Sequence, residues 1–266
     1  VHQKVAEQFV DLGIEKITEN ERKLPETVIE IGPGVGAITF ELAKKFKKVI
    51  AIEKDTRLLR LWREEINVPE NVEVREGDAT EINLNQLRSE IGERLTVYGN
   101  LPFNVSTAIM THMVHNAEQM HFAQLTFQTE VAQRIVAKPN SKSYGSLSVL
   151  VSSFCDIFTV MDLGKGQYFP IPKVNSRVLG FRFFSSPLVP TDKARKFERF
   201  VHQLFMYRRK TMVNGFKSAG SPATYEENAL GWLEQSGYPA DTRVEKLSRD
   251  ELHALFLCCV QRGESS

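Results

Sequence analysis

Three features are scarce in this sequence of 266 residues: cysteine, long apolar runs and an excess of charge of one sign. The three cysteines, Cys155, Cys258 and Cys259, include an adjacent pair and show no metal-binding spacing, so no disulfide framework is predicted and a reducing compartment is expected. No apolar run reaches the ~20 residues of a membrane-spanning helix. Because 34 Lys and Arg oppose 33 Asp and Glu, binding of a polyanion must depend on local clusters of charge.

The histidines do not complete a metal site. His112 and His115 have the H-x-x-H spacing, and His121 follows shortly after them. No cysteine or carboxylate pattern adds the remaining zinc ligands. We therefore interpret them as surface or core residues and predict no bound metal.

Short apolar segments alternate with helical patterns through most of the sequence. Near its start, Val5, Phe9, Val10 and Ile14 recur at helical spacing. Asp55 precedes the apolar positions of a later helix and is its predicted N-cap. Five apolar runs are interpreted as buried strands, at residues 27–31, 49–52, 72–74, 95–98 and 123–127. The alternation predicts an α/β fold, a parallel sheet with helices on both faces.

The pattern changes at residues 185–190, which are rich in Ser and Pro. Beyond them the strand signals stop. Ser248 and Glu251 form the capping-box pattern of a helix. Another helix is predicted from an apolar stripe of Phe197, Phe200, Val201, Leu204 and Phe205. We predict a sheet domain at residues 1–187 and a small all-helical domain at residues 188–266.

Groups that could bind a nucleoside follow three consecutive predicted strands. The first strand ends in a G-x-G-x-G turn at residues 32–36, where glycine lets the backbone approach a nucleotide because no Cβ intervenes. Glu53 ends the second strand and can accept both hydroxyls of a ribose. Asp78 follows the third and can accept a hydrogen bond from an adenine amino group. Each has a structural alternative, such as a tight turn, or a pair between Glu53 and Lys54, but together they predict a nucleoside cofactor.

The motif Asn100-Leu101-Pro102-Phe103 follows the fourth predicted strand and resembles the (D/N)-P-P-(Y/F) signature of amino-group methyltransferases. An adenine N6 lone pair is delocalised into the ring, so N6 is a poor nucleophile. The Asn100 oxygen and a neighbouring carbonyl can accept the two N6 hydrogens and free the lone pair. Pro102 would fix the backbone, and Phe103 would stack on an extruded base. The structural alternative is a turn with a buried Phe.

Segments along nearly the whole sequence resemble the KsgA/Dim family of ribosomal RNA adenine dimethyltransferases. They are residues 30–36, 100–106, 130–134, 139–142, 145–149, 170–176 and 208–211. The resemblance implies a Rossmann-like S-adenosylmethionine methyltransferase sheet with a small all-helical C-terminal domain. It implies N6,N6-dimethylation of two adjacent adenines near the 3′ end of small-subunit ribosomal RNA. We expect a monomer that acts on the small ribosomal subunit.

The same resemblance assigns roles to individual residues. Tyr168 matches an aromatic that closes on the second face of the target base, opposite the catalytic motif of Asn100, Leu101, Pro102 and Phe103. The expected cofactor contacts are Glu30, Gly32, Gly34, Gly36, Glu53, Lys54, Asp78, Ala79 and Asn100.

RNA is expected to be recognised mainly through the shape of the particle, aided by phosphate contacts. A basic run on a predicted helix of the second domain, Arg208, Arg209 and Lys210, provides the first candidates for those contacts. Lys173 and Arg134 are the next.

Two departures from the family pattern stand out: its N-terminal G-Q-N-F-L segment, which covers the cofactor, is not found, and Asn175 replaces the usual Asp. The first would weaken cofactor binding. Leu101 argues against relatives that methylate large-subunit RNA, which typically carry N-I-P-(Y/F). A second alternative is a non-catalytic mitochondrial transcription or ribosome-assembly factor that retains the fold.

The compartment is the least constrained expectation. Residues 53–57 and 125–128, together with Phe103, favour the mitochondrial branch of the family, whereas residues 139–144 and 172–174 look equally bacterial. We expect a location in the mitochondrial matrix, with the bacterial cytoplasm as the alternative.

Overall fold

The computed structural model describes residues 1–19, 23–168 and 171–261, in two compact units. Unit 1 contains residues 1–132 and 155–185, and unit 2 contains residues 133–154 together with those from 186 onward. Among the described helices, none combines the length and apolar character needed to cross a bilayer.

The division at residue 187 that the sequence predicted differs from these units in one segment, residues 133–154. The segment joins unit 2 because its apolar helix, Ser146–Ser152, packs against the helices Ala194–Met206 and Arg249–Gln261. A single domain boundary in the sequence cannot assign residues 133–154 to the same unit as the residues from 186 onward.

Seven strands form the sheet of unit 1: β1 (Thr27–Ile31), β2 (Lys48–Glu53), β3 (Val72–Glu76), β4 (Leu95–Gly99), β5 (Met120–Gln128), β6 (Cys155–Leu163) and β7 (Ser176–Phe183). Their helices are α1 (Gln3–Thr18), α2 (Thr39–Lys45), α3 (Thr56–Glu64), α4 (Leu84–Ile91) and α5 (Ser106–His115), while α6 (Thr129–Ile135) runs across the division between the units. All five predicted strands are confirmed. Asp55 is also the N-cap of α3, where its side chain accepts from Arg57 N.

The strand order is β3-β2-β1-β4-β5-β7-β6. The first five strands in this order are parallel, whereas β7 runs antiparallel to both β5 and β6. The predicted parallel sheet is therefore confirmed for β1 to β5, whereas the edge formed by β7 and β6 is antiparallel. Strands β6 and β7 were not predicted, because the alternation of strands with helices marks only parallel crossovers.

Parallel pairing aligns the carboxyl ends of the first four strands. Ile31 pairs with Ile52 on one side and with Gly99 on the other, and Glu53 pairs with Glu76. The residues that follow these strand ends therefore lie along one edge of the sheet. Ligands of open α/β sheets bind at this edge.

Helix α1 packs its apolar side against the sheet. Val5, Phe9 and Ile17 join a buried cluster with Tyr98 of β4 and Phe122 of β5. The closest approach is at Gly13, where an added Cβ would lie 2.6 Å from Gln124 Oε1 and would also collide with the Tyr98 hydroxyl. Glycine at this position lets the helix backbone approach these two buried side chains.

The helices of unit 2 are α7 (Ser146–Ser152), α8 (Ala194–Met206), α9 (Met212–Ser218), α10 (Ala223–Gln235) and α11 (Arg249–Gln261). Ser248 Oγ accepts from Glu251 N at 3.3 Å, and Glu251 Oε2 accepts from Ser248 N at 2.8 Å, which confirms the predicted capping box. The predicted apolar stripe is confirmed as the buried face of α8, with Phe197, Phe200, Val201, Leu204 and Phe205 all buried.

We predict that Gly13→Ala destabilises the protein by about 1–3 kcal/mol, because the new methyl group overpacks the contact of α1 with Tyr98 and Gln124. Gly231→Ala is the matched control: this glycine lies within α10, and an added Cβ would contact nothing within 4 Å. The control should gain roughly 0.5–1 kcal/mol from helix propensity. Urea unfolding measures both changes, and equal stability of the two variants would contradict the packing of α1.

Candidate active site

The turn after β1 is built on three glycines with left-handed backbones. Their φ angles are 68° at Gly32, 57° at Gly34 and 92° at Gly36. An added Cβ at Gly36 would lie 2.7 Å from Phe40 and 2.9 Å from Trp62, whereas at Gly32 and Gly34 it would project into open space. The first two glycines therefore leave the backbone open to a ligand, and the third lets the turn pack on its helices.

Glu53 is fixed by backbone donors at the end of β2. Its Oε1 accepts from Lys54 N and Asp55 N, both at 2.8 Å, and its Oε2 accepts from Gly34 N at 3.3 Å. The carboxylate thereby joins the β2 end to the glycine turn. The structural alternative for this residue, a side-chain pair with Lys54, is not what the structure shows, because the Lys54 ammonium binds Asp78 instead.

Asp78 is held at the end of β3 by Lys54 and Thr80. Its Oδ1 accepts from Thr80 N at 2.9 Å and from the Thr80 hydroxyl at 2.7 Å. These bonds, with that from Lys54 the largest, lower the pKa of Asp78 to about 2. The Lys54 side chain is largely exposed, so it can leave Asp78 without breaking buried structure. Ala79, the next residue, is buried.

Glu30 lies within β1 rather than after its carboxyl end, and its side chain is buried. It is 1% exposed, and its Oε2 has no hydrogen-bond partner among the described residues. Burial raises the pKa of Glu30 to about 8, and the neighbouring Glu53 carboxylate adds to the rise. The expected contact of Glu30 with a cofactor stays a prediction, because Glu30 is fully buried and its raised pKa favours the neutral acid.

The Asn100-Leu101-Pro102-Phe103 motif forms a turn directly after β4. Leu101 points into the core, whereas Asn100 and Phe103 are half-buried and Pro102 is exposed. A Cβ on Gly99 would lie 2.7 Å from the Leu101 side chain, so glycine is required there. The alternative, a turn with a buried Phe, does not fit the half-exposed ring of Phe103.

Hydrogen bonds within the turn fix its backbone. Val105 N donates to the Pro102 carbonyl at 3.2 Å, and the Ser106 hydroxyl donates to the Phe103 carbonyl at 3.1 Å. Helix α5 begins at Ser106, so the motif is held between a strand end and a helix start. This anchoring keeps Asn100 on the edge that carries Gly32, Glu53 and Asp78.

Tyr168 lies in the core of unit 1. It is 9% exposed, belongs to the apolar cluster that includes Val5 and Leu163, and its hydroxyl is 2.5 Å from Ser176 Oγ. Burial raises the pKa of this phenol. The ring would have to leave the cluster to cover a base, so that role stays a prediction which this structure does not display.

The predicted RNA contacts of the sheet domain are exposed. Lys173 lies just before β7, and the pairing of Gln128 with Ser176 places this segment at the same sheet edge as the motif. Asn175 accepts from Thr129 N at 3.1 Å through its carbonyl, which fixes the segment beside β5. Arg134, on α6, is exposed and belongs to unit 2.

The Arg208 side chain is hydrogen-bonded to other segments of unit 2. Its Nε and Nη2 donate to Glu245 Oε2 at 3.0 Å and 2.7 Å, and its Nη1 donates to the carbonyls of Lys142 and Tyr144. Four hydrogen bonds therefore occupy most of its donors, and its role as the first contact with phosphate stays a prediction. The basic run also lies in the turn after α8 rather than on a helix, since α8 ends at Met206.

Arg209 and Lys210 line a cleft of about 820 Å³ in unit 2. Three further cations on its wall are Lys217, Arg243 and Lys246, and the acids Asp241 and Glu245 also line it. Lys210 donates to the Ser218 hydroxyl at 2.6 Å and lies over the Tyr207 ring. Sequence reasoning missed the three additional cations because each is isolated in the sequence and only the fold brings them together.

No group of three or more His, Cys, Asp or Glu side chains within residues 1–19, 23–168 and 171–261 is arranged to hold a metal ion. His112, one of the histidines with metal-like spacing, instead bonds through Nε2 to the Ile82 carbonyl at 2.8 Å.

Comparisons with known proteins identify the family of the chain. The family described as ribosomal RNA adenine dimethylase matches residues 8–260. A ribosomal RNA small subunit methyltransferase A of Geobacter metallireducens is 37% identical over 239 residues, which cover 90% of this chain and 86% of the relative. The enzyme of the same name from Magnetococcus marinus is 36% identical, covering 85% of this chain and 79% of the relative.

Two solved structures share the fold. A dimethyladenosine transferase from Plasmodium falciparum has a TM-score of 0.71 at 22% identity, covering 98% of this chain and 96% of its own. The 23S rRNA methyltransferase ErmE has a TM-score of 0.63 at 23% identity, with coverage of 92% and 96%. The two curated relatives are bacterial and give no support to the mitochondrial branch, so the mitochondrial location stays a prediction without support from them.

We predict that Glu30 makes the protein less stable as pH rises from about 5 to about 8. Its pKa in the folded protein lies near 8, above the ordinary value of 4.5, so the folded state binds the extra proton in this window and stability falls by up to about 1.4 kcal/mol per pH unit. Glu30→Gln keeps the shape without the ionisation. Urea midpoints between about pH 6 and pH 8 should fall more steeply for the unmodified protein than for the variant, and parallel profiles would contradict a buried neutral Glu30.

Proposed function

We propose, from the premise that this chain belongs to the ribosomal RNA adenine dimethylase family, that it methylates adenine N6 in small-subunit ribosomal RNA with S-adenosylmethionine as donor. Membership rests on the family match over residues 8–260 and on relatives at 36–37% identity. The observation that carries the proposal is the alignment of four strand ends, which brings the glycine turn, Glu53, Asp78 and Asn100 to one edge.

The residues at this edge fit a nucleoside that ends in an amino acid. Open space above Gly32 and Gly34 accommodates a ligand against the backbone. Three backbone N–H groups occupy all but one of the lone pairs of Glu53, so it can accept one ribose hydroxyl directly and the second once the 3.3 Å bond from Gly34 N is released. Asp78 can accept from an adenine amino group once Lys54 moves. When bound, S-adenosylmethionine supplies an electrophilic methyl group on a positively charged sulfur.

Asn100 prepares the adenine nitrogen for attack. Its side-chain oxygen and a carbonyl of the motif accept the two N6 hydrogens, which draws the lone pair out of the aromatic ring and toward the methyl group. The turn is rigid because both of its carbonyl hydrogen bonds are made within the motif and the start of α5. A general base with a shifted pKa is not needed, since N6 becomes acidic once it is alkylated.

Phe103 holds the base in the site. Its half-exposed ring offers a face on which an extruded adenine stacks, worth roughly 1–3 kcal/mol per base. That stacking offsets part of the few kcal/mol that base extrusion costs. The proposal includes the finer reaction, dimethylation of two adjacent adenines near the 3′ end of the RNA by a monomer without a metal ion.

The sequence Asn100-Leu101-Pro102 favours the small-subunit reaction over methylation of large-subunit RNA. The curated relatives that resemble this chain over most of its length carry small-subunit names, whereas the likeness to ErmE concerns the fold alone. Phosphate contacts in unit 2 are provided by the cleft that Arg209, Lys210 and their three neighbouring cations line.

We expect Asn100→Ala to lower methyl transfer to unmodified small ribosomal subunits by about 10²–10³-fold, by analogy with the loss of one preorganised side chain at an active site. Asn100→Asp keeps an acceptor oxygen and should lose less. Asn85→Ala, at an exposed position on α4, is the control and should keep full activity. The measurement is labelled methyl transfer from S-adenosylmethionine, with the product identified as N6,N6-dimethyladenine.

Absence of label from the unmodified protein, together with stable binding to the subunit, would overturn the proposal and identify a binding or assembly factor with this fold. Full activity of Asn100→Ala would be consistent with a methyltransferase but would show that the Asn100 side chain is not needed for its reaction.

Arg208 and Arg209 have different surroundings in unit 2, because Arg208 is hydrogen-bonded to Glu245 whereas Arg209 lines the cleft. Arg209→Ala with Lys210→Ala should reduce the dependence of RNA binding on salt, with a slope smaller by up to about 2. Stability should fall by no more than about 1 kcal/mol, because the bond from Lys210 to Ser218 is exposed. Arg208→Ala should instead destabilise unit 2 on the order of 1–2 kcal/mol, since Glu245 and two carbonyls lose their donor. Salt titrations and urea unfolding check the two outcomes, and the reverse pattern would contradict the assignment.

A further inference from the structure

The outward face of α8 carries a stripe of exposed residues. Arg195, Arg199, His202 and Met206 are all exposed, and their spacing of four, three and four places them within about 60° of arc on the helix. The stripe lies opposite the buried face, which includes Phe197 and Leu204. Because Met206 is the last residue of α8, the stripe leads directly into the turn that carries Arg209 and Lys210.

The two guanidinium groups of the stripe are not neutralised. Neither Arg195 nor Arg199 forms an ion pair or a hydrogen bond through its side chain with any described residue, in contrast to Arg208. The only acid of α8 is Glu198, which is half-buried and has a partner of its own. An anion that approached this face would therefore meet two free cations without displacing an internal partner.

Charge is segregated within unit 2. Helix α10 carries Glu226, Glu227 and Glu234 and no Lys or Arg. Residues 219–242 contain no Lys or Arg at all. A solvated helix surface ordinarily mixes both signs, which favours solubility without attracting one partner. Helices α8 and α10 therefore differ in the sign of their charge, and α8 is the one suited to a polyanion.

We propose that the outward face of α8 is a second RNA contact, which binds the sugar-phosphate backbone of a strand that continues from the cleft at Arg209 and Lys210. The inference rests on the proposed function, in that the RNA is the substrate. The rise between Arg195 and Arg199 is ~6 Å, of the same order as the separation of neighbouring phosphates along a strand. Contacts of this kind position the RNA and do not read its sequence.

The test is the double variant Arg195→Gln with Arg199→Gln, since glutamine is polar, carries no charge and has a helix propensity close to that of arginine. The control variant, Lys4→Gln with Arg63→Gln, removes the same charge from two exposed residues of unit 1 that have no ion pair with a described residue. Binding to an unmodified 3′ fragment of small-subunit ribosomal RNA is measured over a range of salt concentrations, beside the same length of scrambled sequence.

The α8 variant should bind at least tenfold more weakly at low salt, with a salt slope smaller by up to about 2, and by the same factor for both RNAs. Cofactor affinity and the unfolding midpoint should not change, and the control variant should keep the original slope. An unchanged slope would overturn the proposal. So would loss of binding to whole subunits alone, because that result identifies a protein partner for α8.

This outcome is separable from failure of the proposed function. If the unmodified protein transfers no methyl group, the proposed reaction fails whatever the slopes are. If it methylates its substrate and the α8 variant keeps the original slope, only the second RNA contact fails.

Discussion

The parallel, in-register pairing of β1 with β2 and β4, and of β2 with β3, determines where every polar group of the site lies. Each strand ends level with its neighbour, so residues separated by about twenty positions in sequence become adjacent along one edge. The antiparallel strand β7 begins beside the end of β5 and brings the segment with Lys173 to this edge as well. A register shift in any of these pairs would separate the groups that the reaction needs together.

The electrostatics of the edge follow from its hydrogen bonds. Glu53 is held by three backbone N–H groups, and Asp78 by Lys54 and Thr80, so both carboxylates face the site in fixed positions. Beneath them, burial keeps Glu30 neutral over most of the physiological pH range, with its pKa raised to about 8. A second charge at that depth would repel Glu53, and protonation avoids the conflict.

Much of unit 1 could be predicted because local patterns determine it: apolar runs predicted the strands, and Asn100-Leu101-Pro102-Phe103 marked the turn that we propose as catalytic. What could not be predicted depended on contacts between distant segments. The donors of Arg208 are occupied by residues 142, 144 and 245, the burial of Tyr168 depends on α1, and residues 133–154 belong to unit 2 through helix packing. The cations of the cleft at residues 217, 243 and 246 likewise had no signal in sequence.

The central claim is that the carboxyl edge of β1 to β4 holds both the methyl donor and the target base. A crystal structure of the protein with S-adenosylhomocysteine tests it most directly. The account predicts the ribose hydroxyls on the Glu53 carboxylate, the adenine beside Asp78 and the amino-acid end at the glycine turn. Electron density for the ligand elsewhere, or a ribose that does not contact Glu53, would contradict it.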